Sequence, residues 1–254
     1  MPDVNLWLLV FLRISALLAI FPVFSARNLP RSVRVGLGAL TAFLIAPGLA
    51  PVSFAHQTFL GLAGIMAMEI GIGLLLGFVS RMVFFTVDFA ARLISTEIGL
   101  NIAPDPDPFN DSSTQAPGLV LSYLTIVLMF SLDLHHWLLV AFQHSYEVVP
   151  IGGAHLSEAL LADVLKQTSR VFLIGVQMAA PVIAVSFIIT LIMAVLGRVV
   201  PQMNVFTESF SIRILGGLVV FGLTFNLMAQ ELVNALRQFP FDFMRVAQLL
   251  GAGG

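Results

Sequence analysis

Chemistry in this chain would have to begin with its histidines and aspartates, which gather in two places. His135 and His136 stand side by side in DLHHW, Asp133–Trp137, with His144 further along the same stretch. That density raises the question of a metal. A helix offers two imidazoles to one ion when they share a face at i,i+4, whereas adjacent side chains diverge. The three histidines are therefore read as interfacial residues. Asp105, Asp107 and Asp111 are spaced like the oxygen ligands of a calcium loop. That loop would need a ligand where Phe109 stands, glycine at Asn110 and glutamate at Ala116, so the pattern fails. GIGLLLG, Gly71–Gly77, lacks the spacing of a dinucleotide loop and lies inside an apolar run. Asn110-Asp-Ser112 fits a glycosylation acceptor, a weak three-residue signal. No nucleophile has a base at a useful spacing, and the methionines read as core filler. The chain is expected to be no enzyme, with no metal and no cofactor.

The elements that carry these residues are organised around RVVPQMNVFTESFSIR, Arg198–Arg213. Val171–Leu196 before it and Ile214–Gln230 after it contain no charged residue. Between them stand Pro201, Gln202, Asn204, Thr207, Glu208 and Ser209, polar groups that lipid cannot satisfy. Two apolar arms around a polar corner predict a helical hairpin whose tip meets water or protein, and Pro201 ends the first arm.

Composition agrees with arms that avoid water. Hydrophobic residues make up 58% of the 254 and charged residues only 10%, with a mean hydropathy of +0.99. Soluble domains carry about a quarter charged residues, so this is a membrane-class chain. A net charge of −2 leaves no basic face for nucleic acid. Without cysteine, disulfides and thiolate metal sites are excluded. Asp3 stands where a signal peptide would be basic and Arg13 interrupts the apolar run, so the first segment is expected to remain.

Along the chain, Leu6–Phe24 is apolar except for Arg13, and Arg27, Arg31 and Arg34 follow it. Val35–Ala50 is a short uncharged run stopped by Pro47 and Pro51; a spanning helix needs about 20 apolar residues, so this one is marginal. Thr58–Ser80 is broken only by Glu69. Continued as one helix to Arg92, it places Glu69, Gly73, Gly77, Arg81, Asp88 and Arg92 within an arc of roughly 140°. Asp88 and Arg92 are at pairing distance, i,i+4. Gly73 and Gly77 form a small-residue face that lets another backbone come close. In so apolar a helix, this stripe is expected to be a buried seam against another subunit rather than a solvent face. Asn101–Pro117, NIAPDPDPFNDSSTQAP, breaks both helix and strand and predicts an irregular loop. Leu119–Leu132 resumes an uncharged run, VVPIGG ends that region, and a moderately polar helix, Ser157–Arg170, leads into the hairpin. The tail holds Arg237, Pro240 and Arg245 and closes with GAGG, expected to fray.

A topology of six spans fails the positive-inside rule. With Arg27, Arg31 and Arg34 inside, Lys166, Arg170, Arg237 and Arg245 all fall outside. Either some segments are re-entrant, or the apolar surface is meant for partner subunits.

RVVPQMNVF followed by an apolar arm resembles the signature of the FliR/SctT family, the R-type subunit of type III protein export gates. The hairpin AAPVIAVSFIITLIMAVLGRVVPQMNVFTESFSIRIL is also similar to the small Q-type gate subunit, with Arg213 where a basic residue is usual. Arg13 and the stretch FPVFSARNLPRSVRVGLGAL, Phe21–Leu40, match near the N-terminus, so the resemblance covers nearly the whole chain.

The expected fold is all-α: hydrophobic helical hairpins, membrane-associated, with an irregular plug-like loop. The resemblance implies a P-subunit-like region over 1–165, containing loop 101–117, and a Q-subunit-like hairpin with a C-terminal tail over 166–254. It implies a passive, gated channel for unfolded substrates, built with P-type and Q-type subunits and meeting the B-type switch subunit. Its place would be the bacterial inner membrane at the flagellar basal body, with the flagellar branch preferred to the injectisome. The residues implied are a plug at Pro104, Asp105, Pro106, Asp107, Pro108, Phe109, Asn110 and Asp111. Subunit contacts are expected at the corner through Arg198, Pro201, Gln202, Asn204, Phe206, Glu208 and Arg213. A small-molecule secondary transporter is the alternative from another class; it predicts inverted repeats around a midplane site, and no such symmetry is visible.

Overall fold

A computed structural model describes residues 4–25, 30–49, 58–100, 116–200 and 205–252. Every regular element among them is helical. α1 (Val4–Ile20) and the single turn α2 (Pro22–Ser25) are followed by α3 (Arg31–Ile45), which starts just after Pro30 and ends in a 3₁₀ turn, Ala46–Gly48, around Pro47. α4 (Phe59–Ile98) begins where Thr58 Oγ1 accepts the Gly61 N–H at 3.2 Å. It stops at Gly99, whose φ of 90° only glycine adopts freely.

α5 (Ala116–Ser131) carries Pro117 in its first turn, where a missing N–H costs nothing. Asp133, in the left-handed region at φ 54°, separates it from α6 (Leu134–Val148), and the two helices meet at 67°. A turn through Gly152 (φ 73°) leads to α7 (Glu158–Val199), capped by Ser157 Oγ, which accepts the Leu160 N–H at 3.2 Å. α8 (Val205–Gly251) completes the described chain. Neither Pro181 in α7 nor Pro240 in α8 ends its helix. The polar helix expected at Ser157–Arg170 is thus the start of α7. The expected tail is helix as far as Gly251: the His155 N–H bonds the Leu250 carbonyl at 2.9 Å, and Gly251 packs on the Val148 backbone. The fraying expected of GAGG does not extend to that glycine.

α4, α7 and α8 hold 40, 42 and 47 residues, or about 60, 63 and 70 Å of helix, roughly twice the thickness of a hydrocarbon core. All three contain a window long and apolar enough to cross a membrane; the bent pair α5–α6 qualifies as a fourth span only if taken together.

Two compact units share these helices. One comprises Met1–Met82, Met129–Thr168 and Arg237–Gly254; the other comprises Val83–Leu128 and Ser169–Leu236. Each draws on both sides of residue 165, so compactness follows a different division from the expected P-like and Q-like regions. In the first unit α1 packs on α3, with the Trp7 Nε1–H reaching the Ala39 carbonyl at 3.4 Å. In the second, Val87, Ile94 and Ile98 of α4 form one core with Leu121 of α5, Met178 and Val182 of α7, and Met228 and Leu232 of α8. Arg213 of α8 reaches Thr190 of α7, while Met228, further on in α8, shares this core with Met178, further back in α7, so the two helices run antiparallel.

Candidate functional site

Arg13 is one of the largest fully buried side chains in the molecule, and Glu69 is equally closed to solvent. Arg13 Nε donates to Glu69 Oε2 at 2.6 Å and Nη2 donates to Oε1 at 3.1 Å, a two-point fork. Two more donors are used: Nη1 reaches Ser145 Oγ at 3.3 Å and Nη2 the Val149 carbonyl at 3.2 Å, so four of the five N–H groups are bonded. Glu69 Oε1 further accepts the Gly152 N–H at 3.2 Å. The Arg13 guanidinium carbon lies over the Tyr146 ring, 3.9 Å from its centre, a cation–π contact. One ion pair therefore ties α1, α4, α6 and the turn after α6 together.

Spacing places Glu69 on the glycine seam and the resemblance marks Arg13, but neither joins the two residues. The available signal was that each is the lone charge of its apolar run, and opposite lone charges at membrane depth seek each other.

The seam divides. A Cβ on Gly73 would fall on the Arg13 carbonyl oxygen and within 2.8 Å of Ala16 Cβ; one on Gly77 would lie 3.0 Å from the Leu17 carbonyl. The close neighbour expected from another subunit is α1 of this same chain. Sequence periodicity shows that a backbone must approach but carries no information about whose. Further along the stripe Arg81 is half-buried, and Asp88 and Arg92 are exposed.

At the hairpin corner, Pro201, Gln202 and Asn204 lie outside the described residues, as does the Phe206 side chain, and so does the whole expected plug, Pro104–Asp111. Arg198 and Glu208 are exposed on the flanking turns. Arg213 reaches back across the hairpin, its Nη2 donating to Thr190 Oγ1 at 2.8 Å, while its Nε is buried without a partner among the described residues.

The histidines diverge less than expected. Asp133, in the left-handed region, has its Oδ1 3.6 Å from His136 Nδ1, and the His135 and His136 ring centres are 4.1 Å apart. Asp133, His135 and His136 bring one ligand atom each to within 4.8 Å of one another and could together hold an ion. His144 stands apart, its Nδ1 2.7 Å from Glu147 Oε2.

Nothing in the Arg13–Glu69 cluster is arranged to react: each charge is saturated by the other, and the cluster holds helices in place. Comparisons with known proteins point the same way. The model of bacterial export proteins, family 1, matches residues 4–239. Flagellar biosynthetic protein FliR of Escherichia coli K12 is 28% identical over 225 residues, 89% of this chain and 86% of that protein. The FliR of Pectobacterium carotovorum is 31% identical over 218 residues, 86% and 83% of the two chains. Yop proteins translocation protein T of Yersinia pestis is 29% identical over 204 residues, 79% and 78%. A match over nearly the full length, on a scaffold of long apolar helices, shows that this chain belongs to the bacterial export proteins of family 1, an export component and not an enzyme.

Proposed function

We propose that the chain is the R-type subunit of a flagellar protein export gate in the bacterial inner membrane, and that with P-type and Q-type subunits it forms a gated channel for unfolded substrates. The observation that carries this reading is the uncovered hairpin. α7 and α8 bury their inner faces, yet Phe187, Leu191, Leu215 and Leu223 are between 55% and 78% exposed. Arms of about 63 and 70 Å exceed what a bilayer alone covers, so an apolar face this long calls for partner helices over part of its length. Regions 1–165 and 166–254 would then take positions like those of a P-type and a Q-type subunit. The outer surface of the assembly would meet the B-type switch subunit. Both FliR relatives named above are flagellar and the third is a Yop translocation protein, which favours the flagellar branch.

Co-expression tests it. Purified in detergent with P-type and Q-type subunits, the chain should enter one monodisperse complex of defined mass; alone, it should be polydisperse. A well-behaved monomer that ignores both subunits would overturn the gate reading and favour a self-contained transporter.

A further inference from the structure

We propose that the groove between α6 and the last turns of α8 holds one acyl chain of an anionic phospholipid, whose phosphate pairs with Arg237. The groove has a volume of about 570 Å³, within the range of roughly 300–1,000 Å³ typical of ligand sites. Trp137, Val140, Phe241 and Met244 line it. Trp137 is 55% and Phe241 75% exposed, so two large aromatic surfaces face the groove with none of the described residues over them. Hydrocarbon is the chemistry that such a lining accepts.

Charge at the rim selects the head of the occupant. Arg237 and His144 both border the groove. Arg245, two turns on, is already committed to Asp163 at 2.8 Å. Glu147, the nearby acid on α6, is held by His144 Nδ1 at 2.7 Å. Among the described residues no carboxylate pairs with Arg237, and it is exposed. A free guanidinium above an apolar trough fits an amphipath with an anionic head. Arginine forms forked bonds to phosphate, and Trp137 beside it is the residue type that settles at the depth of lipid headgroups. A hydrophobic helix from another protein would fill the trough but leave Arg237 desolvated and unpaired, which disfavours it.

The test places a photo-crosslinker in the groove of the full chain, Phe241→p-benzoylphenylalanine, within its membrane-bound assembly. After irradiation, the adducts are identified by mass. The expected product is a phospholipid adduct enriched in phosphatidylglycerol or cardiolipin over their share of the membrane by about fivefold, the weight of one surface arginine. Arg237→Gln should return the adduct to bulk lipid composition while keeping its yield, and Arg237→Lys should keep the enrichment. An adduct to a protein, no adduct, bulk composition in the chain with Arg237 intact, or enrichment that survives Arg237→Gln would overturn the proposal.

Discussion

Arg13 Nε stands 2.6 Å from Glu69 Oε2 across the interface of α1 and α4, with both side chains excluded from solvent. Bringing two charges out of water costs several kcal/mol per ion, and their attraction repays this only when the remaining donors and acceptors are also met. Here most of them are met, by Ser145, by the Val149 carbonyl and by the Gly152 N–H. The ion pair selects one way for α1 to sit on α4, since any slide by a helical turn would separate the charges.

Removing one partner should therefore be worse than removing both. Arg13→Met or Glu69→Leu alone should cost about 3–5 kcal/mol by leaving a buried charge without its counterion. The double variant should recover most of that loss. Thermal unfolding in detergent of the assembled complex, run as a double-mutant cycle, checks this. Strictly additive single losses would mean that the two side chains do not depend on each other.

The glycines of α4 give a graded series. Gly71 has open space where a Cβ would go, Gly77 would bring one to 3.0 Å from the Leu17 carbonyl, and Gly73 would drive one into the Arg13 carbonyl. Gly71→Ala should be neutral or stabilising by up to about 1 kcal/mol, since alanine is the better helix former. Gly77→Ala should be mildly destabilising, and Gly73→Ala should cost about 1–3 kcal/mol, as overpacking does, by prising α1 from the site where Arg13 meets Glu69. Yield and melting temperature in that order support the packing; a Gly73→Ala chain as stable as Gly71→Ala contradicts it.

The Gly73 face shows what the sequence could and could not convey. The all-α class, the hairpin and the special status of the Gly73–Gly77 face were legible, because period and apolar run length are local properties. Which backbone fills that face was not: α1 lies more than fifty residues away in the chain. The helix through Pro240 was missed because a proline removes one backbone bond and favours a boundary; here packing of Phe243, Val246 and Ala247 on the far side, all buried, offsets that bias. The approach of His135 to His136 was likewise hidden, since helical spacing sets where two Cβ atoms lie and not which rotamers their rings adopt.

The proposed plug, Pro104–Asp111, makes its own prediction. A polar, proline-rich segment between apolar helices is tolerated at membrane depth only where protein shields it or water reaches it. Deleting Asp105–Asp111 should raise leakage of ions or small solutes through an assembled gate while leaving assembly intact, and Phe109→Ala should give a milder leak. Vesicle flux measurements decide; assemblies as tight as the unaltered gate after the deletion would remove the plug assignment.

Arg213 carries the last prediction, through an unfinished set of hydrogen bonds. Its Nη2 bonds Thr190 Oγ1 at 2.8 Å, a neutral acceptor, and its Nε is buried with no partner among the described residues. A desolvated donor left unmet costs about 1–3 kcal/mol, and a carboxylate or carbonyl from a neighbouring subunit at the hairpin would relieve it. The competing account is that Arg213 only pins α8 to α7 through Thr190. The two accounts separate on Thr190→Val, which deletes the acceptor within the chain and leaves the guanidinium in place. If Arg213 bonds across subunits, Arg213→Ala should lower recovery of the assembled complex about tenfold. Arg213→Lys should be partly tolerated, because it keeps the charge and loses the fork, and Thr190→Val should assemble nearly normally. If Arg213 serves its own hairpin alone, Thr190→Val should reproduce the Arg213→Ala defect. Complex recovered per cell, read by affinity purification through a partner subunit, distinguishes these outcomes, and full assembly with Arg213→Ala would exclude any contact role at this position.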